Sequence, residues 1–333
     1  MTDSGIDKLG GPAAWKGTDL LATRDWIRPL GGMATEELDA ALRAANDRGQ
    51  DWQALTADDF PLPTLGRAMA GVAEELENGR GVVKLTGVPV DRYGERDLRA
   101  LFFGLCSHIG IPVPQNGGRG MMRDIRDSDG ARVDSADGLR WHNDRTDVVA
   151  LLCVRKAESG GVSRIVSAVA IHDEMQKRRP DLLALLYQDY YRSTVGDEVG
   201  AEKPFYPLPI FALCDGHFTC NFSKTYIEQA QRIPEVPRLT EAQRAAVEMV
   251  IELAEELCFE MPLEPGDLQL LNNHVIYHGR TPFSDDAAAG RDRLLYRIWL
   301  SMPNSRPLPE SHRVLWGRVE AGALRGGATA SQL

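Results

Sequence analysis

The chain has 333 residues, 43% hydrophobic and 26% charged, which is the composition of a globular protein with enough apolar mass for a full core. Its formal net charge of −10 at pH 7 argues against a nucleic-acid partner, because binding a phosphate backbone requires a basic face. The five cysteines form no CxxC pair, which argues against a zinc ribbon or disulfide scaffold and favours a reducing, cytoplasmic setting. We also expect no membrane partner, because no segment offers the roughly 18 consecutive apolar residues that a membrane span needs.

The first third of the chain is predicted to be mainly helical, after an irregular lead-in over about residues 1–33. Thr35 fits an N-cap in front of one helical sequence, and a second helical sequence is expected to stop at Gly79. The β-branched run 81–90, bounded by glycine and proline, predicts a strand. A further amphipathic helix is predicted to end at Gly110.

Short strands separated by helices are predicted for the remainder of the chain. The turn Asp215-Gly216, between two alternating segments, is the strongest hairpin signal. Residues 239–260 form the clearest amphipathic helix, which opens with a capping box. Three irregular stretches, at about 115–140, 196–209 and 283–292, are long enough to act as lids over a site.

No segment with the composition of a linker divides the chain. We therefore predict a single domain over residues 1–333, of the α+β class and with a strand-built core. The glycine- and alanine-rich end, about 320–333, is expected to be flexible. The sequence leaves the oligomeric state open, and a homo-oligomer is one of the states that it allows.

The segment Trp141-His142-Asn143-Asp144 precedes a β-branched run and carries the central chemical motif. In a strand, residues i and i+2 point to the same face, so His142 and Asp144 can present an imidazole and a carboxylate together. These ligand types suit a divalent metal, and one more imidazole would complete a facial triad that leaves adjacent coordination positions open. By itself the pair also fits a histidine oriented by a neighbouring carboxylate on the surface.

A distant segment, 272–280, offers two candidates for the third ligand, His274 and His278. Strand alternation places both on one face and does not choose between them. Arg293 and Arg297 share a face of a later strand, and an arginine inside a strand-lined cavity requires an anionic partner such as a carboxylate. An exposed ion pair is the alternative for both arginines.

Taken together and in this order, these segments resemble the taurine dioxygenase (TauD/TfdA) family of iron- and 2-oxoglutarate-dependent oxygenases. The resemblance covers about residues 79–303. The motifs that carry it are, in chain order, the strand region 79–90, GIPVPQN, WHNDRTDVVALLCVRKAESGGVSRIVSA, NNHVIYHGRTPF and RLLYRIWL.

The resemblance implies an α+β fold built on a double-stranded β-helix, or jelly roll, with flanking helices. It also implies Fe(II) as cofactor and 2-oxoglutarate and O₂ as co-substrates, with His142, Asp144 and His278 as the iron ligands that carry catalysis. In the same assignment Arg297 binds the distal carboxylate of 2-oxoglutarate. Ser163 hydrogen-bonds that carboxylate, at a position where the family commonly has a threonine.

The remaining motif residues receive secondary roles from the resemblance. His274 lies beside the iron ligands and is not one of them, and Asn143, which replaces a threonine, is expected to point away from the metal without consequence. Three residues are candidates for contact with a small-molecule substrate: Arg293, Arg123 in the first long loop, and Lys224 after the hairpin. Their ordinary alternatives are, in that order, support of the co-substrate site, a solvated loop of mixed charge, and a core or surface role.

The implied reaction oxidises an unactivated C–H bond of a small organic molecule, by default through hydroxylation, and releases succinate and CO₂. Desaturation, epoxidation and cyclisation use the same cofactors and stay open. A zinc-type hydrolase with the same three ligands is a competing class, but it would not need Arg297 or Ser163, and no convincing general-base glutamate accompanies the motif. A binding protein that keeps the metal without catalysis is the second competing class.

Overall fold

The computed structural model describes residues 6–115, 120–126, 136–194, 204–290 and 292–327. The helices in these ranges are α1 Gly17–Ala22, α2 Gly32–Asp47, α3 Leu65–Asn78, α4 Glu95–Ser107, α5 Ala168–Arg178, α6 Pro180–Leu186, α7 Lys224–Ala230, α8 Glu241–Leu257 and α9 Arg313–Trp316. Short 3-10 helices lie at Trp52–Ala54, Val90–Arg92, Ala287–Ala289 and Glu310–His312. None of the described helices is long and apolar enough to cross a membrane.

The strands are mostly short, as their glycine, proline and asparagine boundaries predict. They are β1 Ile27–Pro29, β2 Val82–Thr86, β3 Ile111–Val113, β4 Met122–Ile125, β5 Leu139–His142, β6 Val148–Arg155, β7 Ser159–Gly160, β8 Ser163–Ser167, β9 Asp189–Ser193, β10 Phe205–Pro209, β11 Phe211–Cys214, β12 His217–Cys220, β13 Phe259–Met261, β14 Leu268–Asn272, β15 Ile276–Arg280, β16 Phe283–Ser284 and β17 Leu294–Ser301. The last of these is buried along its whole length, which marks it as a central strand.

Two antiparallel sheets form the core. In the described part of the chain, a seven-stranded sheet has the order β1-β2-β14-β6-β17-β3, with β4 also paired to β17, and only β1 and β2 pair in parallel. A four-stranded sheet has the order β13-β8-β15-β5. Residues of both sheets line one cavity, so the sheets face each other around it. This arrangement confirms the predicted α+β class with a jelly-roll core and flanking helices.

Helices cover the outer face of each sheet. Apolar side chains of α2, α3 and α4 pack with β2, β6, β14 and β17 in one cluster, in which Leu38, Leu76 and Leu101 are fully buried. Side chains of α5, α6 and α8 pack with β8 and β15 in a second cluster, centred on residues such as Ile165 and Val250. The burial of these two apolar layers provides the main driving force for the fold, and the space between the sheets holds both apolar and polar side chains.

Two local predictions are confirmed in detail. Thr240 and Gln243 form a capping box at the start of α8, where each side chain accepts a hydrogen bond from the backbone N–H of the other. Asp215 and Gly216 connect β11 to β12 with φ angles of 49° and 81°. Both residues therefore adopt the left-handed conformation that a two-residue hairpin turn requires.

The prediction of an irregular lead-in over residues 1–33 is wrong in part. This region contains α1 and β1, and β1 extends the larger sheet by pairing with β2. Its apolar side chains are isolated and show no period, yet Trp15, Leu20 and Trp26 are at most 4% exposed. The helix predicted to start at Thr35 instead begins at Gly32.

The C-terminal segment, predicted to be flexible over about 320–333, is anchored in the core at Arg325, and its residues from 328 onwards lie outside the described residues. Arg325 is fully buried, and its guanidinium donates from Nε to Asp147 Oδ1 at 2.8 Å and from Nη2 to the Arg306 carbonyl at 2.8 Å. The composition of this segment does not indicate the ion pair. One buried charged residue with a partner in the core is enough to anchor an otherwise polar segment.

Asp147 also holds His274 in the same buried cluster. His274 Nε2 lies 2.8 Å from Asp147 Oδ1, and its Nδ1 lies 2.8 Å from the Thr219 hydroxyl. These distances fit a neutral ring that donates to the carboxylate and accepts from the hydroxyl. Burial lowers the pKa of His274 from 6.5 to about 4, against the opposing effect of Asp147.

Unfolding of the metal-free protein is expected to become easier in mild acid. The folded state holds His274 neutral, so this stabilisation is complete above the ordinary pKa of 6.5 and is lost as the pH falls towards 4. This residue alone should lower the unfolding free energy by about 2 kcal/mol between about pH 7 and about pH 5. Denaturant unfolding of wild-type and His274→Gln protein checks this, and an equal pH dependence in both would contradict it.

Candidate metal centre

The register between two strands of the smaller sheet brings the motif residues together. His142 ends β5 and pairs directly with His278 in the middle of β15. Asp144 follows two residues after His142, where its backbone N–H donates to Asn273 Oδ1 at 3.0 Å. A chain separation of more than a hundred residues is thus closed by antiparallel pairing.

The three side chains surround a common point. His142 Nε2 lies 3.8 Å from Asp144 Oδ1, and His278 Nε2 lies 3.8 Å from Asp144 Oδ2. The two imidazole centroids are 4.2 Å apart. All three residues are less than 9% exposed. The ligand atoms lie within 4.8 Å of one another, which is a distance that a single bound ion can span.

The electrostatics of the site favour the forms that bind a metal. Burial by itself raises the pKa of Asp144, but Arg297 and the two histidines outweigh burial, and the pKa lies below its ordinary value. Burial and the neighbouring His142 lower the pKa of His278 to about 3. At neutral pH the site therefore presents an anionic carboxylate beside a neutral imidazole, as metal coordination requires.

A hydrogen bond also selects the coordinating nitrogen of His142. Its Nδ1 lies 2.9 Å from the Arg140 carbonyl, so Nδ1 carries the proton and Nε2 keeps its lone pair towards Asp144. Two imidazole nitrogens and one carboxylate suit a first-row divalent metal such as Fe(II) or Zn(II). The residues present thus fit a 2-His-1-carboxylate site.

The structure separates the two candidates for the third ligand. His278 lies in β15, whereas His274 lies in the turn before this strand, where strand alternation does not apply. The ring of His274 packs against Trp316 and its nitrogens are taken by Thr219 and Asp147. His274 thus belongs to the buried cluster and not to the metal group.

A cavity opens from the metal group between the two sheets. It is small, with a free volume of about 50 Å³, and its wall combines apolar side chains with three arginines. The lining residues are Ile125, Leu139, His142, Asp144, Leu151, Ser163, Leu263, His278, Gly279, Arg280, Arg293, Leu295 and Arg297. Of the predicted site residues, this cavity collects His142, Asp144, His278, Ser163, Arg293 and Arg297.

The two predicted arginines have different surroundings. Arg297 donates from Nε to Gln115 Oε1 at 2.7 Å, its Nη1 lies 3.5 Å from Asp144 Oδ2, and its guanidinium lies over the Trp299 ring. Arg293 is 7% exposed and has a buried Nη1 without a hydrogen-bond partner. Burial and the charge of Arg280 lower the pKa of Arg293 to about 10. Arg297 is therefore compensated by its neighbours, whereas Arg293 is a buried cation with an unpaired Nη1.

Ser163 lies at the start of β8 and faces the same cavity. Its hydroxyl donates to Gln269 Oε1 at 2.6 Å. Gly161, two residues before it, approaches Arg293 closely, since a Cβ atom on Gly161 would lie 3.2 Å from the Cδ and Nε atoms of that arginine. Ser163 and Arg293 thus belong to one end of the cavity.

Two predicted substrate contacts do not reach the cavity. Lys224 forms an ion pair with Glu248 at 2.6 Å and lines a different pocket, so the structure does not bring it to the metal group, and its contact with a substrate stays a prediction. Arg123 lies in β4, paired with Arg297 in register, but does not line the cavity, although Ile125 of the same strand does. Residues 116–119, 127–135, 196–203 and 291 of the predicted lids lie outside the described residues.

Sequence reasoning missed several residues that hold the site. Asn143, predicted to be without consequence, donates from Nδ2 to the carbonyls of Asn273 and Ile276 at 2.7 Å each and accepts from the Phe222 N–H at 2.9 Å. Trp299 donates from Nε1 to Asp144 Oδ2 at 3.0 Å. Gln269, the hydrogen-bond partner of Ser163, is fully buried in β14. Its polar side chain in an otherwise mostly apolar strand was a signal in the sequence that could have identified it.

Comparison with known proteins agrees with this geometry. Residues 45–299 match the family model described as taurine catabolism dioxygenase TauD, TfdA family. The chain is 30% identical over 327 residues to FR-33289 synthase of Streptomyces rubellomurinus. This alignment covers 93% of this chain and 96% of that protein. It is 28% identical to the taurine hydroxylase-like protein SAT17 of Stachybotrys chartarum, covering 85% and 79% of the two chains.

Solved structures share the fold. Asparagine oxygenase (AsnO) superposes with a TM-score of 0.64 at 17% identity, over 90% of this chain and 99% of that chain. The non-heme iron oxygenase OrfP, crystallised with Fe and alpha-ketoglutaric acid, superposes with a TM-score of 0.60 at 16% identity, over 83% and 94%. The chain therefore belongs to the taurine catabolism dioxygenase TauD, TfdA family, and it is an Fe(II)- and 2-oxoglutarate-dependent dioxygenase.

Proposed function

We propose that this dioxygenase hydroxylates a small organic molecule at an unactivated C–H bond, with His142, Asp144 and His278 as the iron ligands. The observation that supports this assignment is the convergence of the three side chains on one buried point at the wall of a cavity. When bound, Fe(II) supplies the redox chemistry that couples decarboxylation of 2-oxoglutarate to succinate and CO₂ with oxidation of the substrate.

The protein fixes the ligands before the metal arrives. The Arg140 carbonyl holds the His142 ring in one tautomer, and the Trp299 N–H holds one oxygen of Asp144. Such bonds to the outer atoms of metal ligands orient them and raise their affinity for the ion. The low exposure of all three ligands keeps bulk water away from the reacting atoms.

The distal carboxylate of 2-oxoglutarate is proposed to bind Arg293 and Ser163, so that Arg293 takes the role that the sequence resemblance gave to Arg297. The support is the buried Nη1 of Arg293, which has no partner, and its lowered pKa, because a desolvated guanidinium gains most from a bidentate carboxylate. The hydroxyl of Ser163 lies at the same end of the cavity and can turn from Gln269 to the carboxylate.

Arg297 is proposed to act beside the metal. Gln115 and Trp299 fix its side chain, and its Nη1 faces Asp144, so it holds this ligand anionic and correctly placed.

The lining of the cavity supports a substrate that carries an anionic group. Three arginines and one carboxylate line it. An arginine-rich lining favours an anion, so the substrate is proposed to carry a negatively charged group.

We further propose that the whole chain acts as one domain in a reducing, cytoplasmic compartment. The C-terminal segment supports the first point, because Arg306 and Arg325 tie it to Glu77 and Asp147 in the core. The five cysteines, all in the thiol form, support the second.

The decisive experiment measures succinate. Purified protein loaded anaerobically with Fe(II) and 2-oxoglutarate is expected to show the weak visible charge-transfer band of keto-acid chelation. On exposure to O₂ it should release succinate slowly, and a screen of small anionic molecules should identify those that accelerate the release. Mass analysis of the product then separates hydroxylation, which adds one oxygen atom, from desaturation or cyclisation, which remove two hydrogen atoms.

Two outcomes would contradict the proposal. Activity that needs Zn(II) and proceeds without O₂ would favour a metallohydrolase. Absence of both the band and succinate formation, with stoichiometric iron bound, would favour a metal-binding protein without catalysis.

Replacement of Asn143 by aspartate is expected to weaken Fe(II) binding by about 10-fold to 100-fold. The amide donates to two carbonyls, and one of them belongs to Ile276, two residues before His278. A carboxylate of the same shape would face these carbonyl oxygens with no proton to share, and the 142–144 segment would move away from β15. Equilibrium titration of the metal-free protein with Fe(II) checks this.

Asn304→Asp provides the matched control. Asn304 is exposed, donates to the Ala73 carbonyl at 3.1 Å, and is not among the residues that line the metal cavity. The Asn304→Asp variant should lose this amide-to-carbonyl hydrogen bond, as the Asn143 variant loses its own, and keep the Fe(II) affinity of the wild type. Equal Fe(II) affinity in the Asn143 variant and wild type would reduce Asn143 to a purely structural role.

A further inference from the structure

A second cavity adjoins the metal cavity at Arg293. It has a free volume of about 200 Å³, four times that of the metal cavity, and its lining is mixed polar and apolar. The two cavities share three lining side chains, those of Leu263, Arg293 and Leu295. We name the second cavity the outer cavity. Because these three side chains separate it from the metal cavity, and side chains can change rotamer, the partition between the two cavities can open.

The outer cavity has a positive lining. Arg155, Lys156 and Arg293 contribute three positive charges and Glu158 one negative charge, a balance of +3 − 1 = +2. Arg155 pairs with Asp292 at 2.6 Å and Lys156 with Glu264 at 2.8 Å, but these side chains are 38% to 60% exposed. Ion pairs in water hold their partners weakly, so both cations can turn towards a passing anion.

Glycine brings the rim of the outer cavity against Arg293. Gly160 and Gly161 have φ angles of 72° and 68°, which side chains rarely tolerate. A Cβ on Gly160 would lie 2.1 Å from the Pro282 carbonyl oxygen, and one on Gly161 would lie 3.2 Å from Arg293. At this point the loop contacts the Arg293 side chain without a side chain of its own. A molecule in the outer cavity can therefore approach Arg293 directly.

We propose that the outer cavity is the route by which 2-oxoglutarate enters and succinate leaves. This rests on the proposed function, in which Arg293 receives the distal carboxylate. A dicarboxylate that enters from this side with its keto-acid end leading passes Arg293 first, and its trailing carboxylate then stops at this guanidinium. Succinate leaves by the reverse path, with the carboxylate at Arg293 leading.

Narrowing the outer cavity tests the route. Ala157 lines it and is not one of the residues proposed to bind 2-oxoglutarate or the metal. Ala157→Trp is expected to lower both the association and the dissociation rate constants of 2-oxoglutarate by about 10-fold. The equilibrium Kd should stay within about twofold, because a passage changes the barrier but neither end state. Anaerobic stopped-flow mixing of the Fe(II)-loaded protein with 2-oxoglutarate gives both rate constants. Leu213→Trp, at an exposed residue of the β11–β12 hairpin, is the control for an added indole.

A change of charge gives a second test that does not fill the cavity. Lys156→Glu is expected to slow association by about 5-fold and to weaken its dependence on ionic strength, because the steering charge is inverted. Lys177→Glu, at an exposed position of α5, makes the same change in net charge elsewhere and should leave association unchanged.

The outcomes are distinct. Unchanged rate constants in a folded Ala157→Trp protein and in Lys156→Glu would overturn the route. A raised Kd with an unchanged association rate would also overturn it, since the outer cavity would then be part of the binding site. Wild-type protein that fails to bind 2-oxoglutarate at all would instead refute the proposed function.

Discussion

Replacing Asp144 with alanine is expected to abolish stable Fe(II) binding and to lower succinate formation at least about 1000-fold. Loss of residues that only support a metal ligand costs 10-fold to 100-fold, and loss of the single anionic ligand should cost more. The carboxylate lies within 3.8 Å of both imidazoles, so nothing else in the triad can supply the negative charge. Iron content after desalting and succinate yield per enzyme are the measurements.

The alanine variant also disturbs its surroundings, and a matched variant separates the two effects. Asp144 accepts from Trp299 and faces Arg297, so alanine leaves both groups without this partner. Asp144→Asn keeps an oxygen for Trp299 and nearly the same volume but loses the charge. We expect it to fold like wild type and still to lack iron. Turnover of either variant at the wild-type rate would refute the assignment of this carboxylate to the metal.

Two of the three proposed metal ligands were accessible to sequence reasoning because their pattern is local. The relation between His142 and Asp144 depends only on strand alternation, which holds wherever a strand forms. The third ligand is different, because it depends on the pairing of His278 with His142 across two strands far apart in sequence. Alternation could not exclude His274, since it assumes that the strand extends to a residue that lies in the preceding turn.

The partners of buried polar groups could not be predicted in the same way. Gln115 reaches Arg297 from 182 residues away, and Arg325 reaches Asp147 from 178 residues away. Neither contact has a local period or a spacing that a single sequence displays. The composition of the C-terminal segment therefore indicated flexibility, whereas one buried ion pair anchors it. Strand alternation likewise places Arg293 and Arg297 on the same face, so the sequence pattern does not distinguish their roles. Only the residues that surround each arginine in the structure do so.

Replacing Arg293 with methionine is expected to raise the Kd of 2-oxoglutarate by about 100-fold, because it removes a bidentate bond to the distal carboxylate. A loss of about 3 kcal/mol corresponds to this ratio. Arg297→Met should change the Kd less than about 5-fold and lower turnover instead, because Arg297 supports Asp144. Titration of the anaerobic Fe(II) protein with 2-oxoglutarate checks both variants, and a larger rise in Kd for Arg297→Met would restore the original assignment.

The stability of the metal-free protein independently tests the proposal that Arg293, and not Arg297, binds the distal carboxylate of 2-oxoglutarate. Arg293 is buried with an unsatisfied N–H, so methionine should leave the melting temperature unchanged or raise it. Arg297 is hydrogen-bonded to Gln115 and faces Asp144, so its removal leaves polar groups unpaired and should lower the melting temperature. The two arginines would then respond in opposite directions, as expected if one awaits its partner from solution and the other already has its partners in the fold. Equal destabilisation by both substitutions would mean that Arg293 is a structural residue like its neighbour.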